Sequence, residues 1–197
     1  VPGRCPGQTE RRGFGAVRSR AVTIRLSVHR QRWWAHVTDV ADDVDGLVPV
    51  VKGNGYGLGR AVLAELAVTL GPLLAVGTVH ELDGLPSSCT PIVLTPTLAP
   101  PASTEPVLTV GSDRHIAALA GWPGRVIVKL ESSMHRYGGG IGLVRAAQEA
   151  GLRTVGVGIH PPLAGDDAQH AAEITRWLPE IDPSLDVWVS HLSPDSY

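Results

Sequence analysis

Short apolar runs rich in β-branched residues recur along this chain at Leu47–Lys52, Leu74–Thr78, Pro91–Leu94, Pro106–Val110, Arg125–Glu131, Thr154–His160 and Asp186–Ser190. Between several of them the apolar positions repeat with helical spacing, at Arg60–Leu70, Asp113–Ala120, Ile141–Ala150 and Asp166–Leu178. A further amphipathic stretch, from about Val28 to Val44, precedes the first run. Most of the strand cores read as apolar runs, as a sheet covered on one or both sides requires. Strands that take turns with helices predict a parallel sheet with the helices outside it. Gly71-Pro72 stops the Arg60–Leu70 helix, and Gly151 stands where the next helix needs a left-handed cap.

About seven β/α units are one short of a closed barrel. The expected fold class is therefore α/β, a TIM-type (β/α)8 barrel lacking its last strand, with parallel strands and outer helices. The sequence stops at Ser190-His191-Leu192-Ser193-Pro194-Asp195-Ser196-Tyr197, where a new helix is expected to start, so the expectation is an N-terminal piece of a longer protein. An open barrel exposes two strand edges, and failure to fold alone is one of the readings this leaves standing.

Composition narrows the function classes. A 43% hydrophobic and 18% charged chain of 197 residues carries one sizeable core, and a net charge of −2 gives no global attraction to nucleic acid or membranes. The basic residues are unevenly placed: Arg4, Arg11, Arg12, Arg18, Arg20, Arg25, Arg30 and Arg32 crowd the beginning, with Glu10 almost alone against them. Residues 1–21 read as a basic, disordered N-terminal tail and residues 22–197 as the incomplete barrel. Arg11-Arg12-Gly13-Phe14 is similar to a twin-arginine signal, but no long apolar run follows it. No segment reaches the roughly 18 apolar residues of a membrane helix. Cys5 and Cys89 form no disulfide framework and have no zinc-ligand spacing, so a reducing cytoplasm is the expected location.

The chemistry concentrates at Val48-Pro49-Val50-Val51-Lys52-Gly53-Asn54-Gly55-Tyr56-Gly57-Leu58-Gly59. Lysine is costly to bury, so one closing an apolar strand either snorkels to solvent or has a task there. An amine in a dry pocket loses part of its charge and forms a Schiff base with a carbonyl. The glycines are expected to bring backbone N–H groups close to an anion, with the Tyr56 hydroxyl beside them. A cofactor with a carbonyl and a phosphate, pyridoxal 5′-phosphate (PLP), matches both halves.

This motif resembles the PLP-lysine motif of the alanine racemase family. A second stretch, Lys129-Leu130-Glu131-Ser132-Ser133-Met134-His135-Arg136-Tyr137-Gly138, is similar to the family segment in which a lysine, a methionine, an arginine and a glycine recur at this spacing. The resemblance covers about residues 26 to 197. It implies that Lys52 is the Schiff-base lysine and acid/base on one face of the amino-acid Cα, and that Tyr56 holds phosphate. It also implies that Arg136 bonds the cofactor's phenolic oxygen, that Lys129 stands where many members carry a bridging carbamate, and that His160 packs against the pyridine ring. Ser190 or His191 would hold phosphate where the family has Asn-Ser.

Departures mark a divergent branch: Gly53 and Gly55 stand where alanines are common, Leu58 where histidine is, and Glu131-Ser132-Ser133 where Asp-Thr-Gly is usual. The family's partner is a small amino acid, and its complete members are homodimers whose separate C-terminal β domain supplies a tyrosine as second base. Without that domain the chain is expected to be inactive alone. The alternative from another class is a non-catalytic PLP-binding or PLP-homeostasis protein of the same fold. Other chemistries find little support: His135, His160, His170 and His191 lack metal-ligand spacing, and Asp166-Asp167 reads as a helix N-terminal charge pair.

Overall fold

Where valine, leucine and isoleucine run together the chain forms the strands β1 (Leu73–Val76), β2 (Thr90–Val93), β3 (Val107–Val110), β4 (Arg125–Lys129), β5 (Arg153–Ile159) and β6 (Asp186–Val189). The computed structural model describes residues 27–196. The basic tail and Cys5 lie outside the described residues. All five strand pairings are parallel, and the sheet order is β1-β2-β3-β4-β5-β6. The sheet curls into a half-barrel of the TIM type. Helices α1 (Arg30–Asp43), α3 (Arg60–Ala67), α4 (Asp113–Ala118), α5 (Gly142–Glu149) and α6 (Asp167–Trp177) accompany it, and α2 (Lys52–Tyr56) is a single turn.

The two faces of the sheet form two apolar clusters. Toward the helices, Leu74, Val76, Val93, Leu108, Val110, Val126, Val128 and Val157 pack with Ala64 and Ala67 of α3, Ile116 of α4, Val144 and Ala147 of α5 and Ile174 of α6. Each fully buried side chain of this size contributes about 1.5–3 kcal/mol, so this outer layer is the main source of stability. The inner face carries a smaller set, Ala75, Ile92, Val107 and Ile127, with Val48, Leu73, Val155 and Trp188 against it. Gly156 makes room for the Trp188 indole, since a Cβ there would sit 2.8 Å from its Nε1. The concave side is left partly empty because Ala75, Gly77, Thr109 and Gly158, all small, line its upper part.

Several predicted boundaries move for local reasons. The predicted helix Arg60–Leu70 loses its last residues, Val68–Leu70, because the Thr69 hydroxyl takes the Leu66 carbonyl at 2.7 Å. Asp166 is the N-cap of α6, accepting from the Gln169 amide at 2.9 Å. The predicted strand Leu47–Lys52 is the largest correction. It shrinks to one parallel bridge, Val50 with Ala75, held by Val51 N–H to the Ala75 carbonyl (2.9 Å) and Ala75 N–H to the Pro49 carbonyl (2.8 Å). Pro49 has no N–H to extend a ladder, and the backbone turns left-handed directly after Lys52. The predicted seven strands are therefore six and a bridge.

Candidate active site

The residues after Lys52 form a turn of left-handed helix. Gly53, Asn54, Gly55, Tyr56 and Gly57 have φ of 62°, 56°, 64°, 55° and 86°. A left-handed residue with a Cβ costs about 1–2 kcal/mol, so glycine at every other place and asparagine between them is the composition such a turn needs. Asn54 also earns its place through its side chain, whose Oδ1 accepts the Arg60 N–H at the start of α3 (3.0 Å).

The expectation that these glycines offer N–H groups to a ligand is not met. The Gly53 N–H goes to Glu81 Oε1 (2.7 Å), Gly55 to the Val51 carbonyl (2.9 Å), Gly57 to Gly53 (3.3 Å) and Gly59 to Asn54 (2.9 Å). The turn spends its donors on its own shape. Its product is the placement of Lys52, half-buried, whose Nζ lies 5.9 Å from the centre of the Tyr56 ring.

Across the half-barrel the strand ends of β4, β5 and β6 supply the other wall. Lys129 points inward beside Gly158, its register partner on β5, and is only 7% exposed. Burial, and then the charges of Arg136 and Lys52, push its pKa down to about 8. No carboxylate pairs with Lys52, Lys129 or Arg136 among the described residues. Arg136 itself is exposed, on a loop in which His135 and Tyr137 on either side of it are left-handed, with φ of 50° and 57°. The loop is fastened to α6 by Glu173, which accepts the Ser133 N–H (2.5 Å) and hydroxyl (2.8 Å), and by Trp177 Nε1 donating to the Glu131 carbonyl (3.2 Å).

His160 follows β5 and shares a 2.5 Å hydrogen bond between Nδ1 and Ser190 Oγ. Burial first, then the charges of Lys129, His191, Arg136 and Lys52, push its pKa down to about 4, so it is neutral at pH 7. Its ring centre is 4.7 Å from that of His191, which is left-handed (φ 64°) and bonds the Pro161 carbonyl through Nδ1 (2.8 Å). His170 of α6 holds this corner, with Nδ1 2.8 Å from the His191 carbonyl and Nε2 3.2 Å from the Ala164 carbonyl. Its hydrogen bond to His191, opposed by burial, raises its pKa overall.

All seven candidate residues, Lys52, Tyr56, Lys129, Arg136, His160, Ser190 and His191, line one cavity of about 650 Å³. Its lining has three permanent or near-permanent cations and no aspartate or glutamate. A buried, unpaired Lys129 in such a lining is a site short of an anion, and PLP, with its phosphate and phenolic oxygen, fits that donor set. Sequence reasoning missed three contributors. Tyr137 lines the cavity next to Arg136 and stacks edge-on against His115 at 5.9 Å; Trp188 floors it with a buried Nε1 that has no acceptor. Glu81, behind Lys52, was detectable only as the end of a Thr78-Val79-His80-Glu81 capping box.

No group of three or more His, Cys, Asp or Glu residues is placed to hold a metal ion among the described residues, and no described helix is long and apolar enough to cross a membrane.

Solved structures share this fold, among them two racemases and a decarboxylase. The biosynthetic alanine racemase of Pseudomonas aeruginosa superposes with a TM-score of 0.58 at 20% identity, covering 78% of this chain and 50% of that one. The lysine/ornithine decarboxylase of Vibrio vulnificus gives 0.58 at 12% identity, over 83% and 52%. The alanine racemase of Oenococcus oeni gives 0.55 at 19% identity, over 79% and 49%. The chain thus spans about half the length of these proteins. No curated protein sequence matches it. The family "Alanine racemase, N-terminal domain" matches residues 28–182, which is most of the described chain and contains Lys52, Lys129, Arg136 and His160, and the protein belongs to that family.

Proposed function

We propose that this chain is the cofactor-binding half of a PLP-dependent amino-acid racemase. The observation that carries the proposal is the convergence of Lys52, Tyr56, Lys129, Arg136, His160, Ser190 and His191 on one carboxylate-free cavity. The fold alone does not select the reaction, since a decarboxylase is as similar as a racemase. Racemisation rests on the family match and on the motif around Lys52.

PLP bound here supplies an electron sink for the pair of electrons left when an amino acid loses its Cα proton. The Lys52 amine is the point of covalent attachment and, when free, the base that takes and returns that proton on one face. Tyr56 and Ser190, with His191 beside them, would hold the phosphate by hydrogen bonds. Arg136 would hold the phenolic oxygen side of the cofactor. Lys129, with its pKa pushed down to about 8, would stand with Arg136 in that role. His160 is neutral and adds no further positive charge to the cations that line the cavity. The second face needs another acid/base, which by resemblance comes from a tyrosine of a further domain across a homodimer. The substrate is a small amino acid.

The test is an absorbance titration of the protein with PLP. The expected outcome is a new long-wavelength band that borohydride fixes onto the Lys52 peptide and that Lys52→Ala lacks. A folded protein without any Lys52-dependent band would overturn the proposal. Exchange of the alanine Cα proton in deuterium oxide, measured on a form that includes the second domain, separates a racemase from a PLP carrier.

A further inference from the structure

We propose that Glu81 is the positioning residue for Lys52, acting through the Lys52–Gly53 peptide; this rests on the reading of Lys52 as the attachment lysine. Glu81 ends the short 3₁₀ turn Val79–Glu81 that follows β1. Its Oε2 accepts the Thr78 N–H (3.0 Å), which is the ordinary work of a capping box, and the Gly77 N–H (2.5 Å) beside it. That leaves Oε1, which reaches across to a residue distant in sequence and accepts the Gly53 N–H at 2.7 Å.

A cap needs no such second contact. Gly53 is the first residue of the left-handed turn, so this bond sets the plane of the peptide leaving Lys52. Contact is close on the other side as well. A Cβ on Gly77 would lie 2.6 Å from Glu81 Oε2 and 3.2 Å from the Lys52 Cβ, so Gly77 is the spacer that lets the carboxylate and the lysine stem approach.

The next residue is tied independently, Asn54 Oδ1 accepting the Arg60 N–H. Two tethers therefore fall on the consecutive residues that follow Lys52, in a segment whose own left-handed backbone is unfavourable for Asn54 and Tyr56. Loss of the Glu81 tether frees the end that carries the lysine. Burial raises the Glu81 carboxyl, but hydrogen bonds from Gly53, Thr78 and Gly77, together with Arg60, outweigh it and hold the group ionised at neutral pH. An ionised carboxylate has acceptor sites on both oxygens for this divided task. Glutamine has one acceptor oxygen and an amide that would face a donor.

The experiment compares the full chain with Glu81→Gln. Three readouts are taken: amide hydrogen exchange at Gly53 and Gly77, the rate of borohydride-fixed PLP addition to Lys52, and acetylation of Lys52 by acetic anhydride without cofactor. A hydrogen bond to a charged acceptor is worth more than tenfold, so Gly53 exchange is expected to quicken, and PLP fixation to slow, by about tenfold or more, while β3 and β4 amides keep their protection. Persistent Gly53 protection in Glu81→Gln overturns the proposal, as does lost protection with unchanged PLP fixation.

If wild type fixes no PLP at Lys52, the cofactor reading fails and acetylation decides the role of Glu81. A severalfold altered Lys52 rate supports it and a wild-type rate overturns it. Should Glu81→Gln not fold, the wild-type Gly53 amide resonance takes over. Movement of that resonance with the acid titration of the Glu81 carboxyl supports the tether, and indifference to it overturns the proposal.

Discussion

Lys52 and Lys129 face the same cavity and are held there by opposite means. Lys52 rides on a left-handed turn whose glycine N–H groups are all satisfied within the protein, and its side chain keeps partial access to solvent. Lys129 stands on a regular strand, needs no special backbone, and is dehydrated without a carboxylate to meet it. On the first wall the difficulty lies in the backbone and is relieved by glycine and a carboxylate tether. On the second it lies in the charge and is not relieved by the chain at all. The proposed function uses this division, setting the cofactor's anionic groups against the second wall and its covalent attachment on the first.

The largest effect expected from breaking this contrast is at Lys129. Lys129→Met keeps length and apolar stem while deleting the dehydrated charge. The folded protein holds Lys129 with a pKa near 8 against an ordinary 10.5, so below pH 8 the folded state carries a penalty of about 3 kcal/mol for that proton. The unfolded chain binds the proton more tightly between those values, so wild-type stability rises as pH is raised from about 8 toward 10.5. Lys129→Met should thus be more stable than wild type by about 3 kcal/mol at pH 7, with the advantage gone above pH 10.5, and should bind PLP more weakly. Urea denaturation at pH 7 and 10.5 measures it. A destabilised Lys129→Met at pH 7 would mean that the charge is compensated inside the fold.

The glycine turn answers to a different substitution, of smaller effect. Gly53 has open space where a Cβ would go, whereas a Cβ on Gly55 would lie 2.9 Å from Leu63 Cδ1 and 3.2 Å from the Arg60 nitrogen. Gly53→Ala should therefore cost only the left-handed penalty of about 1 kcal/mol, and Gly55→Ala about 2 kcal/mol because Leu63 must also give way. Thermal melts of the two variants test the order. Equal losses would show that the Leu63 side chain swings aside freely.

How much of this could be read from residues alone divides along the same line. The strands and outer helices were legible because Leu74, Val93, Leu108 and Val128 belong to apolar runs that only a two-sided sheet buries. Lys129, Arg136 and His160 are named through the resemblance of their segments to the family, and each lies at or beyond the end of a strand. The alternating glycines announced a special backbone, yet their N–H groups were assigned to a ligand when the turn itself and Glu81 consume them. That error has a physical source: hydrogen bonds such as Gly53 to Glu81 join residues far apart in sequence, and local pattern carries no trace of them. The first strand was overcalled at Leu47–Lys52 because apolar residues around Pro49 look like strand while the proline removes a donor.

The smallest expected effect sharpens the contrast on the loop that carries Arg136. This loop meets the same backbone problem as the glycine turn and, like it, places two residues with a Cβ in the left-handed region, here His135 and Tyr137. Tyr137 has compensation, since it lines the cavity and packs on His115. His135 has only a contact with Glu131 at 3.3 Å, between two exposed side chains, which is worth little. His135→Gly should remove the left-handed penalty and raise stability by about 0.5–1 kcal/mol, less than the intrinsic penalty because glycine also loosens the unfolded chain. A rise in melting temperature with unchanged PLP fixation at Lys52 is the expected result. A fall would mean that His135 is fixed by more than its contact with Glu131, and that both cation-bearing loops are built to resist their own backbone preferences.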